Sequence, residues 1–224
     1  MKIPEEAIKK ALELGADAAG FVPAKKMIGC PSEISAGPQG FSKSGGSFLI
    51  LGLYHDPEKP EMDWWEEKSS TPGDRMLHRI TTEISRWLGE VHGIDAHDIP
   101  YQVCDGGIYL KDAAVLAGLG KIGKNNLVIV PGFGPRVRFR ALWADLEVPE
   151  RGIIKKSLFC EKCTQICHKK CPMDAFPNGS YSREKCLERI NQNKSTAAET
   201  FRKTGKKTPV DHCRTCELVC PMGK

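Results

Sequence analysis

Hydrophobic and polar positions follow one another along the first 150 residues in patterns that predict both helices and strands. Residues 4–14 are predicted to form a helix, with a proline and two glutamates in its first turn and a glycine after its end. The apolar runs at residues 18–22 and 47–54 predict strands, the second one buried. Apolar residues that recur every three or four positions predict an amphipathic helix with these core residues: Met76, Leu77, Ile80, Ile84, Trp87, Leu88 and Val91.

The segments around these elements are assigned in the same way. Strands are predicted at residues 101–104 and 125–130, and a helix that ends in glycines at residues 110–120. Residues 23–46 are rich in glycine, proline and serine, which indicates a loop. The polar stretch 191–209 is typical of a mobile linker.

Residues 136–146 contain an alternation of basic and apolar side chains that predicts a half-buried strand. Arg136, Arg138 and Arg140 share one face of that strand. Three arginines on one face are suited to binding the phosphates or carboxylates of a ligand. They are equally typical of the solvated face of an edge strand.

The segment GLGKIG at residues 118–123 matches the glycine fingerprint of dinucleotide-binding folds. Its context does not fit, because a helical pattern precedes the glycines where that fingerprint requires a strand. Glycines still permit close backbone approach. We therefore expect the segment GLGKIGKNN to form a loop whose amides and lysines face an anion or a flat cofactor.

The composition is that of a globular protein, with 224 residues of which 40% are hydrophobic and 27% charged. Such a chain is long enough to bury one compact core with a small appendage. It has no long apolar run and it opens with a charged amphipathic segment, so neither a membrane span nor a secretory signal is expected. These features predict a cytoplasmic protein.

Ten cysteines are many for such a chain, and eight of them lie between Cys160 and Cys220. Their distribution predicts two domains, residues 1–150 and residues 151–224. The second domain holds 16 Lys and Arg against 7 Asp and Glu. This basic excess is compatible with nucleic-acid binding, but metal-bound thiolates would neutralise part of it.

Two cysteine groups form the most specific pattern in the chain. Residues 160–172 read C-x2-C-x3-C-x3-C-P, and residues 213–221 read C-x2-C-x3-C-P. Such spacings let several thiolates from one turn and helix converge on a metal centre, and the proline prevents the helix from continuing. Iron–sulfur clusters are favoured, and four-cysteine zinc sites are the alternative. A disulfide framework is disfavoured without an export signal.

The stretch AGLGKIGKNNLVIVPGFGPRVRFRALWADLEVP, just upstream of the cysteine groups, resembles the signature of the epoxyqueuosine reductase family. Those enzymes depend on cobalamin and are related to the reductive dehalogenases. The resemblance continues in ALELGADAAGFVPA near the amino terminus and in FLILGLYHDPE around residue 50. It therefore covers nearly the whole chain.

The resemblance implies two 4Fe-4S clusters whose ligands are exchanged between the two cysteine groups. One cluster would be held by Cys160, Cys163, Cys167 and Cys220, and the other by Cys171, Cys186, Cys213 and Cys216. The chain departs from the family at one point here, because Cys163 and Cys167 are separated by three residues where the family usually has two.

The resemblance also implies an α+β fold, with a nitroreductase-like cofactor-binding domain and a carboxy-terminal dicluster ferredoxin-like module. Cobalamin would bind between them, close to a cluster. Together with the glycine loop and the arginine face, this predicts cofactor contacts from Gly120, Gly123, Lys124, Asn125, Asn126, Arg136 and Arg138. The proton donor of the family matches Asp105, which is expected to be buried beside the cofactor. An aspartate before two glycines is equally typical of a turn.

The chain ends four residues after Cys220, without the helical repeats that full-length family members use to bind tRNA. Transfer RNA is therefore not expected as a partner. The expected partners are a low-potential electron donor such as ferredoxin or flavodoxin, and a small-molecule substrate or a corrinoid protein.

Together these features predict an oxidoreductase that passes electrons through two clusters to a cobalamin that reduces a small substrate, with Asp105 as the acid. Two alternatives stay open. One is an electron-transfer protein that reduces a partner's corrinoid, and the other is a flavin-dependent reductase that binds FMN.

Overall fold

The computed structural model describes residues 2–65, 70–150, 152, 154 and 159–223. The fold is mixed α/β. The strands are β1 (Ala18–Pro23), β2 (Ser47–Tyr54), β3 (Trp64–Trp65), β4 (Ala96–Asp98), β5 (Lys121–Ile122), β6 (Val128–Ile129), β7 (Val137–Ala144) and β8 (Val210–Asp211). The helices are α1 (Ile3–Glu13), α2 (Pro31–Ala36), α3 (Pro72–His92), α4 (Leu110–Leu116), α5 (Ile166–Lys169), α6 (Arg183–Thr204) and α7 (Thr215–Leu218).

The chain forms two compact units, each assembled from three segments. The first unit contains Met1–Tyr54, Met76–Lys121 and Val137–Lys156, and the second contains His55–Arg75, Ile122–Arg136 and Ser157–Lys224. This grouping differs from a single division at residue 150, because two earlier segments join the cysteine-rich unit. No helix within the described ranges is long and apolar enough to span a membrane.

An antiparallel sheet in the order β1-β2-β7-β4 forms the centre of the first unit. Strand β2 is buried over seven of its eight residues because it lies between β1 and β7. Helices α1 and α4 pack against the sheet. At Gly20 of β1 the absence of a side chain leaves room for α4, since a Cβ there would lie 2.8 Å from the carbonyl oxygen of Ala117.

Most of the predicted elements of the first unit are confirmed. Helix α1 and strands β1, β2 and β7 lie within one or two residues of their predicted bounds. The amphipathic helix is also confirmed as α3, and the four residues of its apolar face that are at most 6% exposed are Leu77, Ile80, Ile84 and Leu88. Met76 and Val91 were predicted in the core but are exposed, because they lie at the margins of that face.

Three predictions from local pattern are wrong. Residues 101–104 form no strand: the strand lies earlier, at β4, and Val103–Asp105 form a 3-10 turn that ends at Gly106 in the left-handed conformation. The predicted loop at residues 23–46 contains α2, for which Pro31 supplies a suitable first residue. The polar stretch predicted as a linker is mostly helical, since α6 continues to Thr204.

Helix α6 has defined caps at both ends, although no residue of it is fully buried. The Ser182 hydroxyl accepts a hydrogen bond from the Lys185 amide at 3.3 Å. Gly205 ends the helix with a φ of 68°. A helix with little buried surface depends strongly on such caps.

Substitution of this cap is expected to loosen α6 without affecting the first unit. Ser182→Ala removes the acceptor for the Lys185 amide and should destabilise the helix by about 1 kcal/mol, whereas Ser182→Asp keeps an acceptor. Hydrogen exchange of the first turn of α6 measures the difference. Equal protection in the alanine and aspartate variants would contradict the role of the cap.

Candidate metal centre

Four cysteines from two separate stretches of the chain line one cavity in the second unit. They are Cys160, Cys163, Cys167 and Cys220. This set is the one that the resemblance assigns to a single cluster, and it takes its fourth member from the other cysteine group. Lys124 and Asn125 line the same cavity.

The first three of these cysteines are arranged by a turn followed by a short helix. A 3-10 turn at Phe159–Glu161 precedes α5, and Cys167 lies in α5. Gln165, just before the helix, has a φ of 59°, in the left-handed region. The longer spacing between Cys163 and Cys167 is therefore accommodated by a tight reversal of the backbone, and both thiols still face one cavity.

The fourth cysteine is held by a buried arginine. The Nη1 and Nη2 atoms of Arg136 donate to four carbonyl oxygens around Cys220, at distances of 2.8 to 3.5 Å from Gly223, Met222, Cys220 and Leu218. Arg136 is 5% exposed. Both of these nitrogen atoms therefore donate to backbone carbonyls of the chain itself. The sequence had instead suggested that Arg136 binds a ligand.

Burial is the main influence on the pKa of two of these thiols. It raises the pKa of Cys167 and of Cys220 above the usual range, and nearby cysteines act in the same direction. The positive charge of Arg136 acts in the opposite direction on the pKa of Cys220. A metal centre bound here would therefore displace protons from thiols that otherwise hold them firmly.

Three members of the second predicted set also lie near one another. Burial raises the pKa of Cys216 to about 12, and the neighbouring Cys213 and Cys186 reinforce this shift. The fourth member, Cys171, accepts a hydrogen bond from the Ala175 amide at 3.4 Å through its sulfur. Its place among the ligands of the second cluster stays a prediction.

A four-iron cluster and a single metal ion place different demands on the cysteine thiols. All ten cysteines are free thiols in the structure. Among the described residues, no three His, Cys, Asp or Glu side chains converge closely enough to hold one metal ion. Zinc requires thiolates about 2.3 Å from a common centre, whereas a four-iron cluster keeps its thiolates further apart because iron and sulfide lie between them.

A buried charge network adjoins the second cysteine set, and the sequence reasoning missed it. Arg214, between Cys213 and Cys216, contacts Asp63 at 2.9 Å and Glu217 through Nε at 3.0 Å. Asp63 lies 3.0 Å from Nδ1 of His55, and all four residues are at most 6% exposed. The only sequence signal was a charged residue within a cysteine motif.

The predicted glycine loop is a short hairpin of β5 and β6. The amide of Gly123 donates to the Leu127 carbonyl at 2.8 Å. The Asn125 side chain is 3% exposed, accepts from the Leu127 amide and donates to the carbonyl of Cys216 at 3.4 Å. This segment therefore supports the cysteine sites directly. Cofactor contacts from Gly120, Gly123, Lys124, Asn125 and Asn126 stay predictions.

The two other candidate arginines lie on β7. Arg138 and Arg140 are half-buried on one face, as the alternation predicts. Strand β2 pairs along the whole of β7, whereas β4 pairs only with its Leu142–Ala144 end. Among the described strands, the stretch with Arg138 and Arg140 therefore pairs with β2 alone. A ligand role for Arg138 stays a prediction.

Asp105 lies in the first unit on an exposed turn. Its amide donates to the Gln102 carbonyl at 3.1 Å, and its carboxylate lies 3.7 Å from the Cys104 sulfur. The turn is anchored where the Gly40 amide donates to the Gly107 carbonyl at 3.1 Å. The turn-forming role is confirmed, but Asp105 is exposed where burial was expected. Its role as an acid stays a prediction.

Comparisons with known proteins agree with these features. No family model matches the chain. The epoxyqueuosine reductase of Lactococcus garvieae is 28% identical over 176 residues, which are 75% of this chain and 48% of that protein. The enzyme of Bacillus cereus is 33% identical over 120 residues, which are 51% of this chain and 30% of that protein. A tetrachloroethene reductive dehalogenase of Desulfitobacterium hafniense is 29% identical over 123 residues, which are 50% of this chain and 21% of that protein. The chain spans about half the length, or less, of these relatives.

Solved structures share the fold. The epoxyqueuosine reductase of Streptococcus thermophilus aligns with a TM-score of 0.66 and 21% identity over 100% of this chain and 66% of its own. An epoxyqueuosine reductase solved with an epoxyqueuosine-modified tRNA stem loop aligns with a TM-score of 0.67 and 20% identity, over 98% of this chain and 64% of its own. A reductive dehalogenase described with a mechanism for B12-dependent dehalogenation aligns with a TM-score of 0.63 and 20% identity, over 96% of this chain and 31% of its own.

Proposed function

We propose that this relative of the epoxyqueuosine reductases and reductive dehalogenases is an iron–sulfur oxidoreductase that uses cobalamin to reduce a small electrophilic substrate. The observation that carries the proposal is the cavity lined by Cys160, Cys163, Cys167 and Cys220. Those four thiols match the ligand set implied by the sequence resemblance, including the exchange of Cys220 between groups.

The residues around the cavity fit a 4Fe-4S cluster in their chemistry. Four thiols supply the usual ligands, and Arg136 fixes the backbone on both sides of Cys220. A second cluster would be held by Cys171, Cys186, Cys213 and Cys216. In this proposal the first unit is the nitroreductase-like domain, and the cysteine-rich unit is the ferredoxin-like module.

The location of Lys124 and Asn125 on the cysteine cavity supports a cofactor close to the first cluster. When bound, cobalamin supplies a strongly nucleophilic metal centre and the clusters supply single electrons. The part of the chain is to hold these groups and to deliver a proton. Asp105 is the candidate acid, because its turn is fixed by backbone contacts while its carboxyl group stays accessible.

The proposal is tested by titrating the anoxically purified protein with hydroxocobalamin and with FMN, followed by absorption spectra. Turnover is then measured with a low-potential reductant on an epoxyqueuosine stem loop and on tetrachloroethene, the substrates of the two groups of relatives. We expect cobalamin binding and reduction of at least one substrate. FMN binding alone would favour a flavin reductase, and binding of neither would favour an electron carrier.

Replacement of the candidate acid separates its two roles. Asp105→Asn preserves the turn, since asparagine also suits this position, but it cannot deliver a proton. We expect a loss of turnover of about a hundredfold with unchanged iron content. Asp145→Asn, the same change at another exposed aspartate of the first unit, serves as the matched control and should retain activity. Equal turnover by the asparagine variant would remove Asp105 from the mechanism.

A further inference from the structure

An apolar groove with a basic rim lies on the second unit, away from the cysteine cavity. Its floor is formed by Ala197, Ala198 and Phe201 of α6, together with Trp64 and Val210. Phe201 is 45% exposed, which is unusual for a phenylalanine. We call this surface the α6 groove.

The rim of the α6 groove carries positive charge. Lys194 and Lys207 line it and are exposed. Arg202 and Lys206 lie close to the groove along the chain, while Lys203 pairs with Glu199 at 2.6 Å. An apolar floor flanked by two lysines is complementary to a protein surface whose apolar centre is flanked by carboxylates.

The α6 groove is also close to a predicted cluster ligand. Val210 forms its edge, and Cys213 follows three residues later, so their Cα atoms are at most about 11 Å apart. The connection between them is fixed, because Trp65 donates from its indole nitrogen to Nδ1 of His212 at 3.0 Å and β3 pairs with β8. A redox group docked in the groove would therefore lie near Cys213.

We infer that the α6 groove is the docking surface for an acidic one-electron carrier protein of the ferredoxin or flavodoxin type. This inference rests on the proposed function, because it requires a cluster at Cys213. The reduced carrier loses one electron and the oxidised cluster gains it, and no bond or proton is transferred. Small interfaces of this kind are typical of transient electron-transfer complexes.

Nucleic acid is the competing occupant. The lysines would bind phosphates of RNA as well as carboxylates. The floor is built from alanine, valine and aromatic side chains, which supply no hydrogen bonds to base edges. Proximity to Cys213 gives the groove a use in electron delivery that nucleic-acid binding would not need, so the carrier protein is favoured.

The test introduces one negative charge into the groove and compares it with the same charge elsewhere on the helix. Ala198→Glu places a carboxylate on the floor, and Gln192→Glu places one on the opposite face of α6. Glutamate is a good helix former, so both variants should fold. Binding of purified flavodoxin and ferredoxin is measured by calorimetry at low and high salt, and cluster reduction by stopped-flow absorption.

Ala198→Glu is expected to weaken carrier binding about tenfold or more and to slow reduction by the carrier in proportion, whereas Gln192→Glu should leave both nearly unchanged. Binding by the unsubstituted protein should also weaken at high salt. Reduction by dithionite, which needs no docking, should be equal in all three proteins.

Two results would overturn the inference. One is equal carrier affinity in the two variants. The other is a loss of binding to an RNA stem loop in Ala198→Glu while carrier binding is kept, which would assign the groove to nucleic acid. Failure of the proposed function gives different results, since it appears as missing cobalamin binding and turnover, or as missing iron and sulfide, whatever the affinity for the carrier.

Discussion

The anoxically purified protein is expected to contain about eight irons and eight acid-labile sulfides per chain, and Cys220→Ala about half of each. The reason is that Cys220 lines one cavity with Cys160, Cys163 and Cys167, so its loss opens that cluster alone. Cys104→Ala, which changes an exposed thiol outside both sets, should retain the full content.

Double variants test the exchange of ligands between the two cysteine groups. If Cys163 and Cys220 hold the same cluster, replacing both with alanine should remove no more iron than replacing either one. Replacing Cys216 and Cys220, which belong to the same sequence group, should remove nearly all of it. Electron paramagnetic resonance of the reduced protein identifies the surviving cluster. Stoichiometric zinc without sulfide would contradict the iron–sulfur assignment.

Arg214→Met is expected to destabilise the protein by about 3 to 5 kcal/mol, the largest loss of stability expected from any single substitution considered. Arg214 is buried between Asp63 and Glu217, and its removal leaves two buried carboxylates without their cation. Denaturant midpoints under anoxic conditions measure the loss.

A surface ion pair provides the comparison for this variant. Arg86 pairs with Glu83 on α3, where both side chains are about half exposed, and Arg86→Met should leave the denaturant midpoint nearly unchanged. Combining Arg214→Met with Asp63→Asn and Glu217→Gln should recover part of the loss, because the uncompensated charges are then removed. No recovery of stability in the triple variant would show that Arg214 stabilises the protein through side-chain packing and not through charge compensation.

Local sequence pattern was sufficient for the elements that bury a regular apolar face. Strand β2 is a nearly continuous apolar run, and α3 repeats its apolar residues at helical spacing, so both were predicted closely. Cysteine spacing indicated a metal centre, and the family resemblance supplied the grouping of Cys220 with the first cysteine group. The four cysteines of that set line one cavity, and their binding of a cluster stays a prediction.

The elements that were missed depend on interactions that local pattern does not contain. Residues 101–104 have strand-forming side chains, but the chain turns at Gly106 and pairs earlier, at β4. Helix α6 has no apolar stripe of core residues, so its polarity resembled that of a linker. The partners Asp63 and Arg214 are far apart in sequence, and neither segment indicates the other.

The interleaved course of the chain limits how its parts can be exchanged between proteins. A fragment of residues 151–224 fused to another protein would carry all eight candidate ligands. It would lack Arg136, which holds the carbonyls around Cys220, and Asp63, which pairs with Arg214. Transplantation as a contiguous redox cassette should therefore fail, and a successful graft would also need the segments His55–Arg75 and Ile122–Arg136.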